Sequence, residues 1–326
     1  MKNIENIRPY LTYDEQIEKL SSDYNLIIKN PARAKSLLKT YSYYDLINGY
    51  QECFIKDGVY IDNITIDDLA LFLEFDRSFQ SILFKYSVYA ENKFKNILAN
   101  VIASKYGITM HEYLDQNNYR KNGIYVYKTL NKLKNYPYSD YVDNPTKHYV
   151  KTKKHIPPWI LFKNITFNQA TDIYKNLKID DKNKVNDEMI GNLLNNKFKI
   201  SSVTKSIIII RKFRNSIAHN LKFATTRVNE NIILNHMNSF CYNTLIESED
   251  YKIKRGVNDP YSFIISLSLI LNESFIIEKL YEDLSRIIII TNLQENDHMD
   301  IFRTYCDITG IPQNIIERFK KHINRY

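Results

Sequence analysis

The residues in this chain whose types and spacing could do chemistry are Arg214, Asn215 and His219, within the run Arg-Asn-Ser-Ile-Ala-His. A neutral imidazole can act as a general base because its ordinary pKa lies near neutral pH. A guanidinium keeps its proton and offers several donors to a phosphate, so it can stabilise charge that develops there. Asn can orient the His or donate to a phosphate oxygen. Together these side chains predict cleavage of RNA, in which the 2′-hydroxyl attacks the neighbouring phosphate.

This reaction needs no metal ion and would leave a 2′,3′-cyclic phosphate and a 5′-hydroxyl, while DNA would not be cut because it lacks the 2′-hydroxyl. The seven histidines show no ligand spacing such as His-Glu-x-x-His. The three cysteines, Cys53, Cys241 and Cys306, are too scattered for a disulfide framework or a metal site. The sequence therefore predicts an enzyme with neither a metal site nor a cofactor.

A helix must position the three motif residues, and we expect it to begin near Ser201 and Ser202, whose hydroxyls can cap it, and to end near His219. One apolar face is marked by residues at i, i+3 and i+7, namely Ile210, Phe213 and Ile217. The opposite face collects three polar residues one turn apart, namely Arg211, Asn215 and His219. Arg214 falls close to the apolar edge of this helix.

Two interpretations of Arg214 follow from that position. Arg is rarely buried unless it is paired, so Arg214 could pair with a carboxylate while His219 merely closes the helix. Alternatively, both residues contact RNA. Because a single helix points Arg214 and His219 about 140° apart, one motif makes an incomplete pocket. Two copies facing each other across a two-fold axis could supply both residue types to one phosphate, so the cleavage hypothesis predicts a homodimer.

The segment 214–219 resembles the R-x4–6-H signature of the HEPN superfamily, in its common R-N-x-x-x-H form. The opening at 8–16, Arg-Pro-Tyr-Leu-Thr-Tyr-Asp-Glu-Gln, is similar to that of AbiD/AbiF-type abortive-infection proteins. Further segments at 43–50, 74–77, 158–167 and 309–312 are similar to stretches of the same family, so the resemblance covers essentially the whole chain. The chain departs from the family pattern at Asp45, Asn168 and Asn220, where Arg, Gly and a second His are usual.

The resemblance implies an all-α fold, a HEPN-type helical bundle with additional N- and C-terminal helices. It implies a role in anti-phage defence, where an RNase toxin halts infected cells, and makes Arg214, Asn215 and His219 the catalytic residues of a metal-independent endoribonuclease. Several members are encoded beside a structured noncoding RNA that is proposed to bind and restrain them. A structured noncoding RNA, a target RNA or both are therefore the expected partners.

Composition sets broader limits. The chain of 326 residues carries a formal net charge of +8, which suits a polyanionic partner, although an AT-rich genome would by itself favour the abundant lysines. We find no signal peptide and no apolar stretch long enough to span a membrane, so a cytoplasmic protein without a membrane partner is expected.

A second candidate region is the basic segment 136–156, which we expect to be a loop because it contains Pro137 and Pro145. Tyrosines alternate there with basic residues, a mixture that could bind phosphates and stack unpaired bases, although a solvated loop is an equally good interpretation. The candidate RNA-binding residues of this segment and of the motif helix are Lys151, Lys153, Lys154, His155, Arg211 and Lys212.

The sequence suggests four segments: an N-terminal helical region at 1–135, the basic loop at 136–156, a HEPN core at 157–255 and C-terminal helices at 256–326. Thr12 with Glu15, and Thr65 with Asp68, predict helices over 13–22 and from 65 to about 104. We expect 180–184 to be a charged linker and 228–247 to be helical. Two alternatives to the nuclease remain: a non-catalytic RNA-binding module that sequesters RNA, and a protein-interaction component of a defence system in which Arg214 braces the fold.

Overall fold

The structure is a computed structural model that describes residues 9–61, 63–121, 124–153, 155–293 and 299–325. The predicted all-α class is confirmed. Within these ranges the only strands are β1 (Ile55–Lys56) and β2 (Val59–Tyr60), which pair antiparallel around a tight turn. Among the described helices, none combines the length and the apolar character that crossing a bilayer requires.

The helices of the described ranges carry the rest of the fold. The first ten are α1 (Tyr13–Ser22), α2 (Pro31–Tyr43), α3 (Gln51–Phe54), α4 (Ile66–Tyr106), α5 (Met110–Tyr113), α6 (Ile124–Asn135), α7 (Thr146–Thr152), α8 (Pro158–Asn164), α9 (Phe167–Asn176) and α10 (Ile179–Ile190). The others are α11 (Asn196–Ala218), α12 (Asn238–Cys241), α13 (Ser248–Ile253), α14 (Pro260–Ile270), α15 (Ser274–Asn292), α16 (Ile301–Thr309) and α17 (Ile315–Ile323).

Two capping signals predicted from the sequence form as expected. At the start of α1, the Thr12 hydroxyl accepts from the Glu15 N–H (3.3 Å), and the Glu15 carboxylate accepts from the Thr12 N–H (2.7 Å). Thr65 and Asp68 exchange the same pair of hydrogen bonds at the start of α4, at 3.1 Å and 2.8 Å. Each pair satisfies backbone donors that a helix start leaves free, so these two helix starts are set locally.

The elements predicted on either side of α11 are wrong. The predicted linker at 180–184 lies inside α10, because Val185, Met189 and Ile190 continue an apolar face that is buried. The predicted helix over 228–247 is mostly irregular, with a 3-10 turn and the short α12. The N–H groups of Val228 and Ile232 donate to carbonyls of the segment at 257–258 instead of to their own helix.

The described chain divides into two compact units. The first takes its residues from 1–80 and 285–308. Its core surrounds Phe72, whose ring centre lies 5.1 Å from those of both Tyr50 and Phe54. Asp76 is fully buried there and accepts hydrogen bonds from the hydroxyls of Tyr50 (2.5 Å) and Tyr305 (2.9 Å).

The second unit takes its residues from 81–284 and 309–326, and α11 lies at its centre. Helix α11 packs against α14, α10 and α9. Every residue of α14 is buried, and its Phe263 ring stacks on Phe213 of α11 at 5.2 Å between ring centres. This packing holds α11 as a rigid support for the residues at its C-terminal end.

Candidate functional site

Helix α11, which carries the motif, begins earlier than predicted. Its N-cap is Asn195, whose side-chain oxygen accepts from the Lys197 N–H at 3.0 Å, so the helix starts at Asn196 and not near Ser201. Asn is as good an N-cap as Ser, and Ser202 is buried within the helix. The early start gives α11 23 residues, of which Arg214 to Ala218 are the last five, and His219 follows as the C-cap.

The two faces of α11 are as the sequence predicts near its C-terminal end. The isoleucines at 207–210 and Phe213 are buried, which explains why the sequence in the middle of the helix is uniformly apolar. Beyond Phe213 the helix reaches the surface, and both Asn215 and His219 are exposed. The motif is therefore presented to solvent by an element that is buried along most of its length.

The end of α11 is closed by a Schellman motif with His219 as the C-cap residue. The Asn220 N–H donates to the Ile217 carbonyl, and the Leu221 N–H donates to the Ser216 carbonyl, both at 3.0 Å. This closure requires a left-handed residue after the cap, and Asn220 has a φ of 57°, a conformation that Asn tolerates better than most residues. Asn220 thus helps to set the position of His219.

The imidazole of His219 is exposed, and within the described part of the chain it makes no hydrogen bond. Its backbone N–H is used by the helix, donating to the Asn215 carbonyl at 3.0 Å. The ring nitrogens are therefore available to a ligand, as a general base or a donor requires.

Arg214 is held on several sides. Its side chain is 32% exposed, and its Nη2 lies 3.7 Å from Oε2 of Glu91 on α4. The other terminal nitrogen of the guanidinium, Nη1, donates to the Asn215 side-chain oxygen at 3.2 Å. The guanidinium carbon lies 5.7 Å from the ring centre of Phe84, within cation–π range. Its Nε is buried and has no hydrogen-bond partner among the described residues.

Glu91 is the site residue that sequence reasoning missed. It is buried on α4 and also pairs with Lys95, at 2.6 Å, and the Lys95 ammonium donates to the Ile165 carbonyl at 2.5 Å. Phe84, Glu91 and Lys95 share one face of α4, because positions i, i+7 and i+11 lie nearly above one another. The sequence does contain one signal that could have identified Glu91, which is an acidic residue in the middle of a largely apolar helix. Since two cations share one carboxylate, one positive charge remains to attract a phosphate.

The basic segment differs from the predicted loop. It contains a 3-10 turn at Tyr136–Tyr138 and the short helix α7, whose first turn is closed by the Tyr149 N–H donating to the Pro145 carbonyl. Lys151, Lys153 and His155 are exposed, as an RNA-binding role requires. The fourth candidate of this segment, Lys154, lies outside the described residues.

The two basic candidates on α11 are in different situations. The Lys212 ammonium donates to the Asn229 carbonyl, so this side chain is used within the protein. Arg211 is partly exposed, and its Nε is buried without a hydrogen-bond partner in the described ranges. No hydrogen bond or ion pair among the described residues joins the motif to the basic segment. The structure therefore presents them as separate candidate regions.

Within the part of the chain that the structure describes, no group of three or more His, Cys, Asp or Glu side chains is arranged to hold a metal ion.

Comparison with known proteins gives one match. A family model described as Abi-like protein matches residues 36–224, which is more than half of the chain. The matched range contains the whole of α11 together with Glu91 and the basic segment. Searches of curated proteins and of solved structures gave no match.

Proposed function

This chain belongs to the Abi-like protein family, which associates it with abortive infection, and we propose that it acts there as a metal-independent endoribonuclease toxin of the HEPN type. The observation that carries the proposal is the arrangement of three side chains at one helix end. The exposed imidazole of His219 follows Asn215 by one helical turn, and the Asn215 amide oxygen accepts from Arg214 at 3.2 Å. A base, an orienting amide and a phosphate-binding cation are thus neighbours at the surface.

In the proposed reaction His219 removes the proton from a ribose 2′-hydroxyl, and that oxygen attacks the adjacent phosphorus. The bond from phosphorus to the 5′-oxygen breaks, and this oxygen takes up a proton and leaves as a 5′-hydroxyl. Arg214 donates to the non-bridging oxygens as negative charge grows on them. Because Arg214 and His219 of one helix point about 140° apart, we propose a homodimer as the active form, in which two copies of the motif supply both residue types to one phosphate, including the imidazolium that protonates the leaving oxygen.

We propose that RNA is also the regulatory partner, with a structured noncoding RNA holding the toxin inactive. The net charge of +8 and the exposed cations Lys151 and Lys153 support binding of a polyanion. The test is the ultraviolet absorbance ratio of the purified protein, followed by sequencing of any nucleic acid that accompanies it. A protein that purifies free of RNA and binds no RNA at low salt would contradict this partner.

The nuclease is tested with single-stranded RNA in the presence of EDTA, with mapping of the product ends. Arg214→Ala and His219→Ala should each lower the rate of cleavage by about 100-fold or more. Arg303→Ala and His111→Ala are matched controls, since both residues are exposed and lie outside the motif. A 2′-deoxy substitution at the cleaved nucleotide should abolish cutting there. Full activity in both motif variants would refute the assignment.

One observation favours a second candidate, an RNA-binding module that sequesters RNA or assembles with a defence partner without cutting. Arg214 already has a carboxylate partner in Glu91, as a residue that braces the fold would. This candidate predicts salt-sensitive RNA binding without cleavage. It also predicts that Arg214→Ala lowers the melting temperature strongly and that His219→Ala changes little.

A further inference from the structure

A groove beside α6 carries exposed tyrosines and lysines that the proposed reaction does not use. It has a volume of about 550 Å³ and is lined along α6 by Tyr127, Lys128, Asn131 and Lys132, with Tyr141 contributed by the segment after the helix. The groove lies on the surface of the second compact unit, and all of its tyrosines and lysines fall within the described ranges.

The sequence of α6 explains why these side chains face outward. Val126, Leu130 and Leu133 are buried, and α6 packs against α9. Tyr127 and Lys128 precede Asn131 and Lys132 by four positions, so they form two adjacent rows along the exposed side of the helix. The groove is therefore built on a helix whose orientation is set by its buried face.

The two tyrosine rings are unusually exposed for such large side chains. Tyr127 is 57% exposed and Tyr141 is 89% exposed, although both line the same groove. Aromatic rings on a solvent-facing groove provide flat apolar surfaces on which unpaired bases can stack. In a duplex the bases are already stacked on one another, so the groove suits single strands best.

The charge of the groove points to the same class of ligand. Lys128 and Lys132 are four residues apart on one helix, where like charges repel. Neither forms an ion pair with any described carboxylate, and of the described residues no Asp or Glu lines the groove. An anion bound between the two ammonium groups would relieve their repulsion.

We propose that this groove binds single-stranded RNA, with Tyr127 and Tyr141 stacking on unpaired bases and with Lys128 and Lys132 contacting the phosphates between them. This inference deepens the proposed function and rests on it, because it names the feature of RNA that the protein recognises. Because any base can stack on an aromatic ring, the groove selects RNA with unpaired bases and does not select a particular sequence.

The test measures the affinity of the full chain for a fluorescent 2′-O-methyl oligonucleotide, which cannot be cleaved. Tyr127→Ala and Tyr141→Ala should each weaken binding by about fivefold or more. Tyr125→Ala is the matched control, because Tyr125 is 80% exposed on the same helix but does not line the groove, and it should leave affinity unchanged. An abasic oligonucleotide of equal charge should bind weakly, and equally to all three variants and to the unaltered chain.

The lysines are tested through the dependence of binding on salt. Lys128→Ala combined with Lys132→Ala should lower the slope of log affinity against log salt concentration by about 1.4, since each phosphate contact contributes roughly 0.7 for single strands. Lys134→Ala, an exposed lysine of α6 outside the groove, should leave the slope unchanged.

Equal affinity in the tyrosine variants and the Tyr125→Ala control would overturn the proposal, and so would equal binding of duplex and single-stranded RNA. Because the probe cannot be cut, these results are independent of cleavage. Cleavage of RNA by the unaltered chain, together with tyrosine variants that bind the probe as tightly as the unaltered chain, would refute this inference alone, whereas groove binding without cleavage would refute the nuclease alone.

Discussion

The carboxylate of Glu91 lies 3.7 Å from the guanidinium of Arg214, and this pair joins a buried face of α4 to the exposed end of α11. Lys95 shares the same carboxylate at 2.6 Å. The orientation of Arg214 thus depends on a residue from a distant part of the chain, and a substitution of Glu91 should change the position of the Arg214 side chain.

Replacing Glu91 by Gln should lower the free energy of unfolding by about 2 kcal/mol, because a buried lysine and a half-buried arginine lose their shared anion. The measurement is urea denaturation. Glu273→Gln is the matched control, since Glu273 pairs with Lys93 of the same helix at 2.7 Å but is far more exposed, and it should cost less than about 1 kcal/mol.

A double-mutant cycle then tests the contact between the two residues. Arg214→Ala should cost less stability when Glu91 is already Gln than in the unaltered chain, because the ion pair is absent. Strictly additive changes in the free energy of unfolding would show that the two side chains do not interact.

Asn220 should be replaceable by Gly but not by Ala. Its φ of 57° lies in the left-handed region, where a Cβ atom is unfavourable and where Gly pays no steric cost. We expect Asn220→Ala to be less stable than Asn220→Gly by about 1 kcal/mol, measured by denaturation. The Ala variant should also cleave RNA more slowly, since His219 caps the same turn. Equal stability of the two variants would argue against this account of the helix end.

Tyr50 and Asp76 connect two segments through which the chain resembles AbiD/AbiF-type proteins, and their hydrogen bond gives a prediction about pH. Burial raises the pKa of Asp76, opposed by hydrogen bonds from Tyr50, Tyr305 and Gln80. A carboxyl with a raised folded pKa contributes its stability below its unfolded pKa, and this contribution is lost as pH rises through the folded pKa. Tyr50→Phe removes a donor to the charged form and raises that pKa further.

The stability lost in Tyr50→Phe should therefore grow as the pH rises above the ordinary pKa of an Asp side chain, about 3.9, reaching roughly 1–3 kcal/mol where Asp76 is charged. Denaturation at several pH values measures the difference from the unaltered chain. Tyr44→Phe, at an exposed position of the first unit, should show a difference near zero at every pH. A loss for Tyr50→Phe that does not vary with pH would contradict the role of the charged carboxylate.

His322 should limit stability in mild acid. Burial lowers its pKa to about 4, and the charge of Arg325 adds to the effect. The contribution of a neutral buried His is complete above its unfolded pKa, near 6.5, and is lost as pH falls from there toward about 4. The loss amounts to about 3 kcal/mol at most, since one pKa unit is worth about 1.4 kcal/mol.

His322→Gln should therefore flatten the fall in stability between about pH 6.5 and pH 4, because Gln takes up no proton in that range. The measurement is the free energy of unfolding of both chains across these pH values. His111→Gln, at an exposed position, should follow the unaltered chain. If His322→Gln and the unaltered chain lose stability in parallel, His322 does not carry this dependence.

Local patterns in the sequence were sufficient for several elements. The capping residues Thr12 and Thr65 predicted the starts of α1 and α4, because the bonds that cap a helix join residues only three apart. The exposed positions of Asn215 and His219 followed from helical spacing. Where several residues can cap the same helix, local signals do not decide between them: the pattern favours Ser201, whereas Asn195 is the N-cap of α11.

The amino-acid sequence by itself determined the helical class, the helix that carries the motif and the residue types available for acid–base chemistry, because these depend on composition, on spacing and on contacts within a turn. Only the tertiary structure decided that Glu91 pairs with Arg214, that Lys212 is tied to the Asn229 carbonyl and that Tyr127 and Tyr141 share one groove. Such pairs are far apart along the chain or come from different elements. Helix packing brings them together, and no local pattern specifies which residues will meet.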